Sequence, residues 1–445
     1  MRHEQIEPSN KLINGGINYL SSAREQRPTF GNMIFATEKM LLSRMMRAIG
    51  DPPLEIVLWN GQKISNHKGS EVAQVFIRDR GALLKLLADP ELNFGEMYSA
   101  QRIDVQGSLL DFLDAVYRVW PFRSQGKIGK LLLSPINDAR RNTIAGSRRN
   151  IQHHYDIGND FYKIWLDRQM LYTCAYFPDQ GISLEDAQLA KMNHVCRKLR
   201  LQPGEKVLEV GCGWGALAIH MAKHYGVTVQ AYNISKEQIN FARRRAHAEG
   251  LDGQVEFVED DYRNVQGKFD AFVSVGMLEH VGVDNYQALG EVIDRSLSDT
   301  GRGLIHSIGL NYPRPMDAWT ERHIFPGANP PSLAQMMQIF EPSDFSVLDV
   351  ENLRMHYAKT LEHWLMRYEE NIDLVTEMFD SEFARSWRLY LAGSLTTFKT
   401  GGMQLFQVLF ARAGNNDIPW SRQYLYESHA GLNQLNSAGE SNGKL

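Results

Sequence analysis

One nine-residue run constrains the fold more than any other: Val207-Leu208-Glu209-Val210-Gly211-Cys212-Gly213-Trp214-Gly215. A short apolar strand runs into three alternating glycines, and helical spacing starts at Ala216. Glycine lets the backbone turn tightly and approach a ligand, and a helix N-terminus offers free N–H groups and partial positive charge. The same alternation continues downstream. Strands are expected at Lys206–Val210, 227–232, 255–258, 271–275 and 303–308. Helices are expected at 216–224 and 236–249, with Gly250 stopping the second. Strand–helix alternation of this kind implies an α/β, doubly wound, mostly parallel sheet covered on both faces.

Two nucleoside cofactors use such a turn. A dinucleotide needs G-x-G-x-x-G for its pyrophosphate and an acid about 20 residues later for its ribose. This chain reads G-x-G-x-G with the bulky Trp214 inside the turn. It resembles the cofactor loop of the S-adenosylmethionine-dependent methyltransferases. The resemblance implies that Gly211, Gly213 and Gly215 receive the amino-acid end of the cofactor, and that Glu209 is the motif acid. The second strand departs from the usual pattern. Where an acid commonly meets the ribose hydroxyls, the chain reads Tyr232-Asn233-Ile234-Ser235-Lys236-Glu237-Gln238. Asn233 and Gln238 can bond hydroxyls through their amides, and Ser235 reads as a helix cap. After the third strand, Asp260, Asp261 and Tyr262 suit the adenine edge, and they equally suit a plain loop.

The rest of the chain sets limits on this reading. At 445 residues it has room for two or three domains. A net charge of −4 gives no general attraction to nucleic acid or anionic lipid. Three cysteines, Cys174, Cys196 and Cys212, lack zinc spacing and argue for a reducing, cytoplasmic compartment. The polar start resembles no signal peptide, and no run reaches the ~18 apolar residues of a membrane span. A membrane substrate would then be met peripherally, at the inner surface.

Residues 1–30 read as a flexible tail and 31–125 as a small α+β domain. In that domain, strands are expected at 54–59 and 72–77, a turn at Gly61, and helices at 81–88 and Leu109–Val119. No catalytic constellation is visible there, so a scaffold or dimerisation role is expected. A basic connector follows at 126–150. With its flanks it holds Arg118, Arg123, Lys127, Lys130, Arg140, Arg141, Arg148 and Arg149 around Leu131, Leu132 and Leu133. Such a stretch suits an anionic membrane, at ~1 kcal/mol per cation, or a solvated linker. Residues 151–414 form the main domain, with a long helical stretch at 361–398 and a last strand at 404–410. A loose polar tail, 415–445, is expected after it.

Several segments in order then resemble one family, the cyclopropane-fatty-acyl-phospholipid synthases and their mycolic-acid relatives. They are Ile151-Gln152-His153-His154-Tyr155-Asp156-Ile157 with Phe161-Tyr162, and Leu171-Tyr172-Thr173-Cys174-Ala175-Tyr176-Phe177. The glycine loop comes next, then Met277-Leu278-Glu279-His280-Val281-Gly282 and Ile305-His306-Ser307-Ile308-Gly309. Phe325-Pro326-Gly327, His356-Tyr357-Ala358-Lys359-Thr360-Leu361 and Trp387-Arg388-Leu389-Tyr390-Leu391-Ala392-Gly393 complete the set. The likeness runs from about residue 85 to the end. It implies a seven-stranded, Rossmann-like methyltransferase sheet with a helical insert, and a homodimer built through the N-terminal domain. Residues 31–125 themselves neither require nor exclude the dimer.

The resemblance also implies a bicarbonate ion beside the reacting carbon, held by Cys174, Glu279, His306, Tyr357 and a backbone group of Ile308. His154, Tyr172 and Thr173 fall where the family contacts the cofactor carboxylate or closes over it. The implied reaction is methyl transfer to the double bond of an unsaturated phospholipid acyl chain, then proton loss to form a cyclopropane. An alkene is a weak nucleophile, so it needs an in-line sulfonium methyl and a site without water. A carbocation follows, and aromatic faces stabilise a cation by ~0.5–2 kcal/mol each. Tyr176, Phe177 and Phe325 are candidates. Taken singly, Cys174 is an ordinary buried residue and His306 an ordinary core histidine; the ordered set is what carries chemistry.

The proline-rich stretch 311–332 is long enough for a lid, and Leu365, Met366, Leu374, Met378, Phe379 and Phe383 are candidate walls of an acyl slot or ordinary core. Two alternatives share the fold. One gives a methylene- or methyl-branched lipid through the same cation, and the other methylates a small amine.

Overall fold

The computed structural model describes residues 30–119 and 157–426. The N-terminal tail, the connector, the 151–156 stretch with His154, and residues 427–445 lie outside the described residues. Helix α1 (Phe30–Ala48) leads into strands β1 (Leu54–Leu58), β2 (Lys63–Ile64) and β3 (Ala73–Ile77). Helices α2 (Arg80–Ala88) and α3 (Pro90–Ser99), strand β4 (Ile103–Gln106) and helix α4 (Leu109–Val119) follow. The caps are local: the Asp79 carboxylate accepts from the Ala82 N–H, and Asp89 accepts from Leu92 with Pro90 at the first helical position. The small sheet has the order β2-β1-β3-β4, and only β1 and β3 are parallel.

The second unit opens with α5 (Asn159–Trp165) and α6 (Leu184–Leu199). The alternating series then runs β5 (Lys206–Val210), α7 (Ala216–Tyr225), β6 (Thr228–Asn233), α8 (Lys236–Ala248), β7 (Val255–Glu259) and β8 (Phe269–Val275). It continues with α9 (Tyr286–Ser296), β9 (Leu297–Gly309), α10 (Ala318–His323), α11 (Leu333–Met336) and β10 (Phe345–Asn352). Helices α12 (Arg354–Glu370), α13 (Ile372–Met378) and α14 (Ser381–Thr400) precede the last strand, β11 (Gln404–Arg412). The sheet order is β10-β11-β9-β8-β5-β6-β7, parallel except for β11, which is antiparallel to both neighbours. From β5 the chain moves outward through β6 and β7, then crosses back to β8. That reversal opens a crevice at the carboxyl ends of β5 and β8, where doubly wound folds bind ligands.

The helical stretch expected at 361–398 is three helices, not one. The breaks fall at Asn371 and at Asp380, whose carboxylate caps α14 by accepting from the Phe383 N–H. The start of the expected loose tail is also tied down: the Asn415 amide donates to the Thr300 carbonyl at 2.7 Å, and Arg422 pairs with Asp349. No helix among the described residues is long and apolar enough to cross a membrane.

The two units share one core. Leu54, Ile56, Phe112 and Leu113 of the first cluster with Phe161, Trp165, Leu361, Trp387 and Tyr390 of the second. The segment after β9 helps to join them. Its ends are fastened by a bridge between Leu310 and Ser332. Its helix α10, capped by Asp317, lays Trp319 on the backbone of Gly95 in α3. A Cβ on Gly95 would lie 2.4 Å from the indole. Gly→Ala in an ordinary helix gains about 1 kcal/mol. Gly95→Ala is expected instead to lose about 1–3 kcal/mol in denaturant unfolding, because the indole must move. A gain in stability would show that Trp319 does not rest on α3.

Candidate active site

The glycine loop is built by strain that only glycine relieves. Gly211 and Gly215 have φ of +88° and +82°. Their Cβ atoms would lie 2.9 Å from Met277 and 2.6 Å from Phe257. Gly213, at φ +52°, would place a Cβ in open space. Gly211 and Gly213 border a cavity of about 140 Å³ at the ends of β5 and β8. Tyr172, Thr173, Glu209, Asn233, Gln238, Asp261 and Tyr262 also line it. The structure therefore brings all ten expected cofactor residues except Gly215 to the cavity wall; Gly215 packs behind, under α7.

Their partners divide them. Ser235 caps α8, and Asn233 donates to the Gln238 carbonyl at 2.8 Å. Asp261 is already engaged, since Oδ1 accepts from the backbone N–H and the guanidinium of Arg263, each at 3.0 Å. The Tyr262 hydroxyl is buried with no partner among the described residues, and burial pushes it up to about 12. Trp214 is a brace: its indole N–H donates to Asn159 at 2.7 Å, and its ring packs on Tyr162.

Lys191 lines the same cavity and was not among the sequence candidates. It is 1 % exposed, and its ammonium donates to Thr173 Oγ1 at 2.9 Å. The signal was its place on the apolar stripe of α6, with Ala187, Gln188 and Val195. Burial pushes the Glu209 carboxyl up and the Lys191 ammonium down, and each charge opposes the other's shift. One Glu209 oxygen has no hydrogen-bond partner among the described residues. Buried polar groups are normally satisfied, so this atom points to a polar ligand. The α-ammonium of the cofactor's amino-acid end fits it.

A second, larger cavity of about 280 Å³ is lined by Cys174, Glu279, His306, Ile308 and Tyr357, so the five expected catalytic residues do come together. Register explains part of this. His306 lies opposite Val275, the last residue of β8, and opposite Gln407 of β11, whose side-chain amide holds its Nδ1 at 3.0 Å. Glu279 sits on the turn after β8 and accepts the Ile308 N–H at 2.6 Å. Glu279 Oε2 and His306 Nε2 are both buried, without partners among the described residues. Burial raises the Glu279 carboxyl to about 7 and pushes His306 well below its usual range. His306 is thus held neutral, and the Glu279 carboxyl keeps its proton up to about pH 7. The Cys174 thiol is pushed up by burial and points at the Ala175 carbonyl, 3.1 Å away. It is no nucleophile.

The 171–177 segment is positioned by side chains rather than by a sheet. Gln188 donates to the Leu171 and Thr173 carbonyls, Thr360 accepts the Ala175 N–H, and His356 accepts the Phe177 N–H. Tyr172 bonds Tyr390 hydroxyl to hydroxyl at 2.6 Å. Tyr172, Thr173, Gly276 and His280 line both cavities, so the two meet at these four residues.

Two expectations fail. Tyr176 and Phe177 turn away from the cavity, stacking on His194, His356 and His363, while Phe325 does line it. None of the six proposed slot residues borders the cavity. Met366, Leu374, Met378 and Phe379 are exposed, and Leu365 and Phe383 pack in the core. The insert contributes Leu361, Leu389, Tyr390 and Phe398 instead.

Gly213→Val puts a β-branched residue at positive φ and into the cofactor cavity, so S-adenosylhomocysteine binding should fall more than ~100-fold by calorimetry. Lys191→Met removes the cation that faces Glu209 across the cavity. It should weaken the same ligand by about 10–100-fold. Normal binding by both variants would place the cofactor elsewhere.

Comparison with known proteins supplies the family. A family model described as mycolic acid cyclopropane synthetase matches residues 143–408, and a domain of unknown function matches 41–120. A probable fatty acid methyltransferase of Pseudomonas putida is 32 % identical over 84 % of this chain and 96 % of its own length. The cyclopropane-fatty-acyl-phospholipid synthase of Escherichia coli K12 is 35 % identical over 80 % of this chain and 92 % of its own. Among solved structures, a mycolic acid cyclopropane synthase complexed with SAH and CTAB superposes with a TM-score of 0.57 at 29 % identity, over 60 % of this chain and 98 % of its own. Coclaurine N-methyltransferase, at 23 % identity and a TM-score of 0.56 over 73 % of this chain and 99 % of its own, shares the fold. With a glycine-loop cofactor cavity opening onto a buried carboxyl–imidazole site, this chain belongs to the mycolic acid cyclopropane synthetase family and is an S-adenosylmethionine-dependent C-methyltransferase.

Proposed function

We propose that the protein methylates the double bond of an unsaturated phospholipid acyl chain and closes the product to a cyclopropane. The carrying observation is the apolar cavity that ends on two unpartnered buried donors, Glu279 Oε2 and His306 Nε2. A small amine would need neither. Its lone pair attacks directly, and no carbon-bound proton has to be removed afterwards.

S-adenosylmethionine supplies an electrophilic methyl group on a sulfonium. The residues at the junction, Thr173 and Gly276 among them, orient that group toward the apolar cavity, and the apolar walls exclude water from the cation that follows. Phe325 and Tyr390, which pack edge to face at 5.5 Å, offer π faces to it. The donor set fits a small oxyanion. A neutral Glu279 carboxyl and a neutral His306 N–H donate, with Tyr357 and Cys174 on the same wall. Bicarbonate, when bound there, supplies a base for the proton of the newly added methyl group. Glu279 and His306 would hold it, with Ile308 fixing the Glu279 carboxyl through its N–H. The substrate is met at the membrane surface, and the enzyme acts from the cytoplasmic side.

Glu279→Gln keeps the size but loses the proton-sharing carboxyl, and turnover should fall at least ~100-fold while S-adenosylhomocysteine still binds. Stability gives an independent check. The folded carboxyl holds its proton up to about 7, against 4.5 for an ordinary one. Its contribution is therefore full below the ordinary value and lost as pH rises through about 7, a change of about 3 kcal/mol. Glutamine does not titrate, so the variant should gain on the wild type as pH rises from 4.5 to about 7 and level off above that. Wild-type turnover by the variant would remove Glu279 from the chemistry. The reading as a whole is tested with methyl-labelled cofactor and vesicles of monounsaturated phospholipid. NMR of the extracted chains should show high-field cyclopropane protons; label in a vinylic or branched carbon, or none in lipid, would overturn it.

A further inference from the structure

The catalytic cavity does not end in the methyltransferase unit. It continues into the N-terminal domain, between the β1–β3 face and helices α1, α2 and α4, where Met46, Leu54, Val75, Leu86, Phe112 and Leu113 line it. Those six residues are each no more than 6 % exposed, so the space lies inside that domain's own core. Ile56 and Val75, which pair in register, put it directly over the sheet. Protein cores are close-packed, and an apolar void of this kind costs stability. Among the described residues of this domain, the only charged side chain on the wall is Glu91.

We infer that the N-terminal domain is the binding site for the methyl-terminal half of the acyl chain, and that its core sets the chain length the enzyme accepts. The inference rests on the proposed lipid reaction. The double bond must lie beside Glu279, His306 and the cofactor junction, near the chain's middle. One half of the chain then runs outward to the headgroup and the other runs on. A phosphate headgroup cannot be buried in an apolar core without a partner, whereas a hydrocarbon end fills it at a gain. The domain reads from sequence as a scaffold, and the structure gives it a wall of the substrate site.

The test uses the full-length protein and vesicles of phospholipids with the double bond at one fixed distance from the headgroup. The acyl chains have fourteen, sixteen or eighteen carbons, so only the methyl-terminal side varies. Val75→Phe narrows the space, and the ratio of eighteen- to fourteen-carbon product should fall about tenfold or more. Phe112→Ala widens it and should move the ratio the opposite way. S-adenosylhomocysteine affinity, read in the other cavity, reports that each variant is folded. Opposite shifts at normal cofactor affinity support the inference. Wild-type ratios in both folded variants overturn it while the lipid reaction stands. No labelled product from any chain with the wild-type enzyme overturns the lipid reaction and this inference with it.

Discussion

Two ligands with opposite demands on their surroundings must touch at a single point. One is a charged nucleoside that wants polar walls, and the other a hydrocarbon that wants none. The structure meets this constraint at Gly276, the residue after β8, which borders both cavities. Its φ is +74°, and a Cβ there would sit 2.7 Å from the Thr173 methyl group. A side chain at this position would collide with the opposite wall of the passage. The glycine is held by its N–H, which donates to the His306 carbonyl at 2.9 Å. The passage and the His306 imidazole are therefore fixed by the same strand pairing. Much else follows from this junction: the 171–177 segment must be pinned by side chains because it forms the other wall and has no sheet of its own.

Around that junction the ionisable groups are kept close to neutral or paired. Glu209 and Lys191 share the cofactor side and moderate each other's shift. Glu279 and His306 share the lipid side, where no cationic side chain faces Glu279 closely enough to lower it. The contrast has a chemical reason. A permanent ion beside an apolar chain would be costly to desolvate, whereas a neutral donor can wait unpaired for an anion at a cost of ~1–3 kcal/mol. The same low dielectric that makes the empty donors costly makes their bonds strong once a ligand is in place.

How much of this was legible in the sequence depended on whether local pattern or long-range contact decided each feature. Strand β5, the glycine loop and α7 were legible because glycine spacing and apolar runs are local signals. The Ser235 cap was legible for the same reason. The helical insert was misread as continuous because Asn371 and Asp380 are weak breakers by type; Asp380 breaks it by capping α14, and Asn371 by leaving helical geometry with its amide turned back onto the Arg367 carbonyl. Tyr176 and Phe177 were named as candidates for the cation because they are aromatic. An irregular segment has no fixed side-chain alternation, and its orientation is decided by His356 and Thr360, 179 and 185 positions from the residues they hold. Lys191 was passed over because a lysine on a helix is normally a solvated one. Only its place on the buried stripe marked it.

The N-terminal domain shows the same limit at a larger scale. Of its described elements, β1, β3, α2 and α4 could be drawn from the sequence, while α1, β2, α3 and β4 were not; its void could not be drawn at all, because a cavity is what several elements jointly fail to fill. Neither unit closes that cavity alone. The methyltransferase unit supplies Tyr357, Leu389, Tyr390 and Phe398, and the N-terminal domain supplies the facing side chains. What aligns the two halves is the segment between β9 and β10, which touches both. Trp319 rests on Gly95 of α3, Arg322 and His323 pair with Glu96, and the Asn329 N–H donates to the Glu279 carbonyl at 2.8 Å. The turn that carries the Glu279 carboxyl and the helix that borders the domain core are thus joined through one segment.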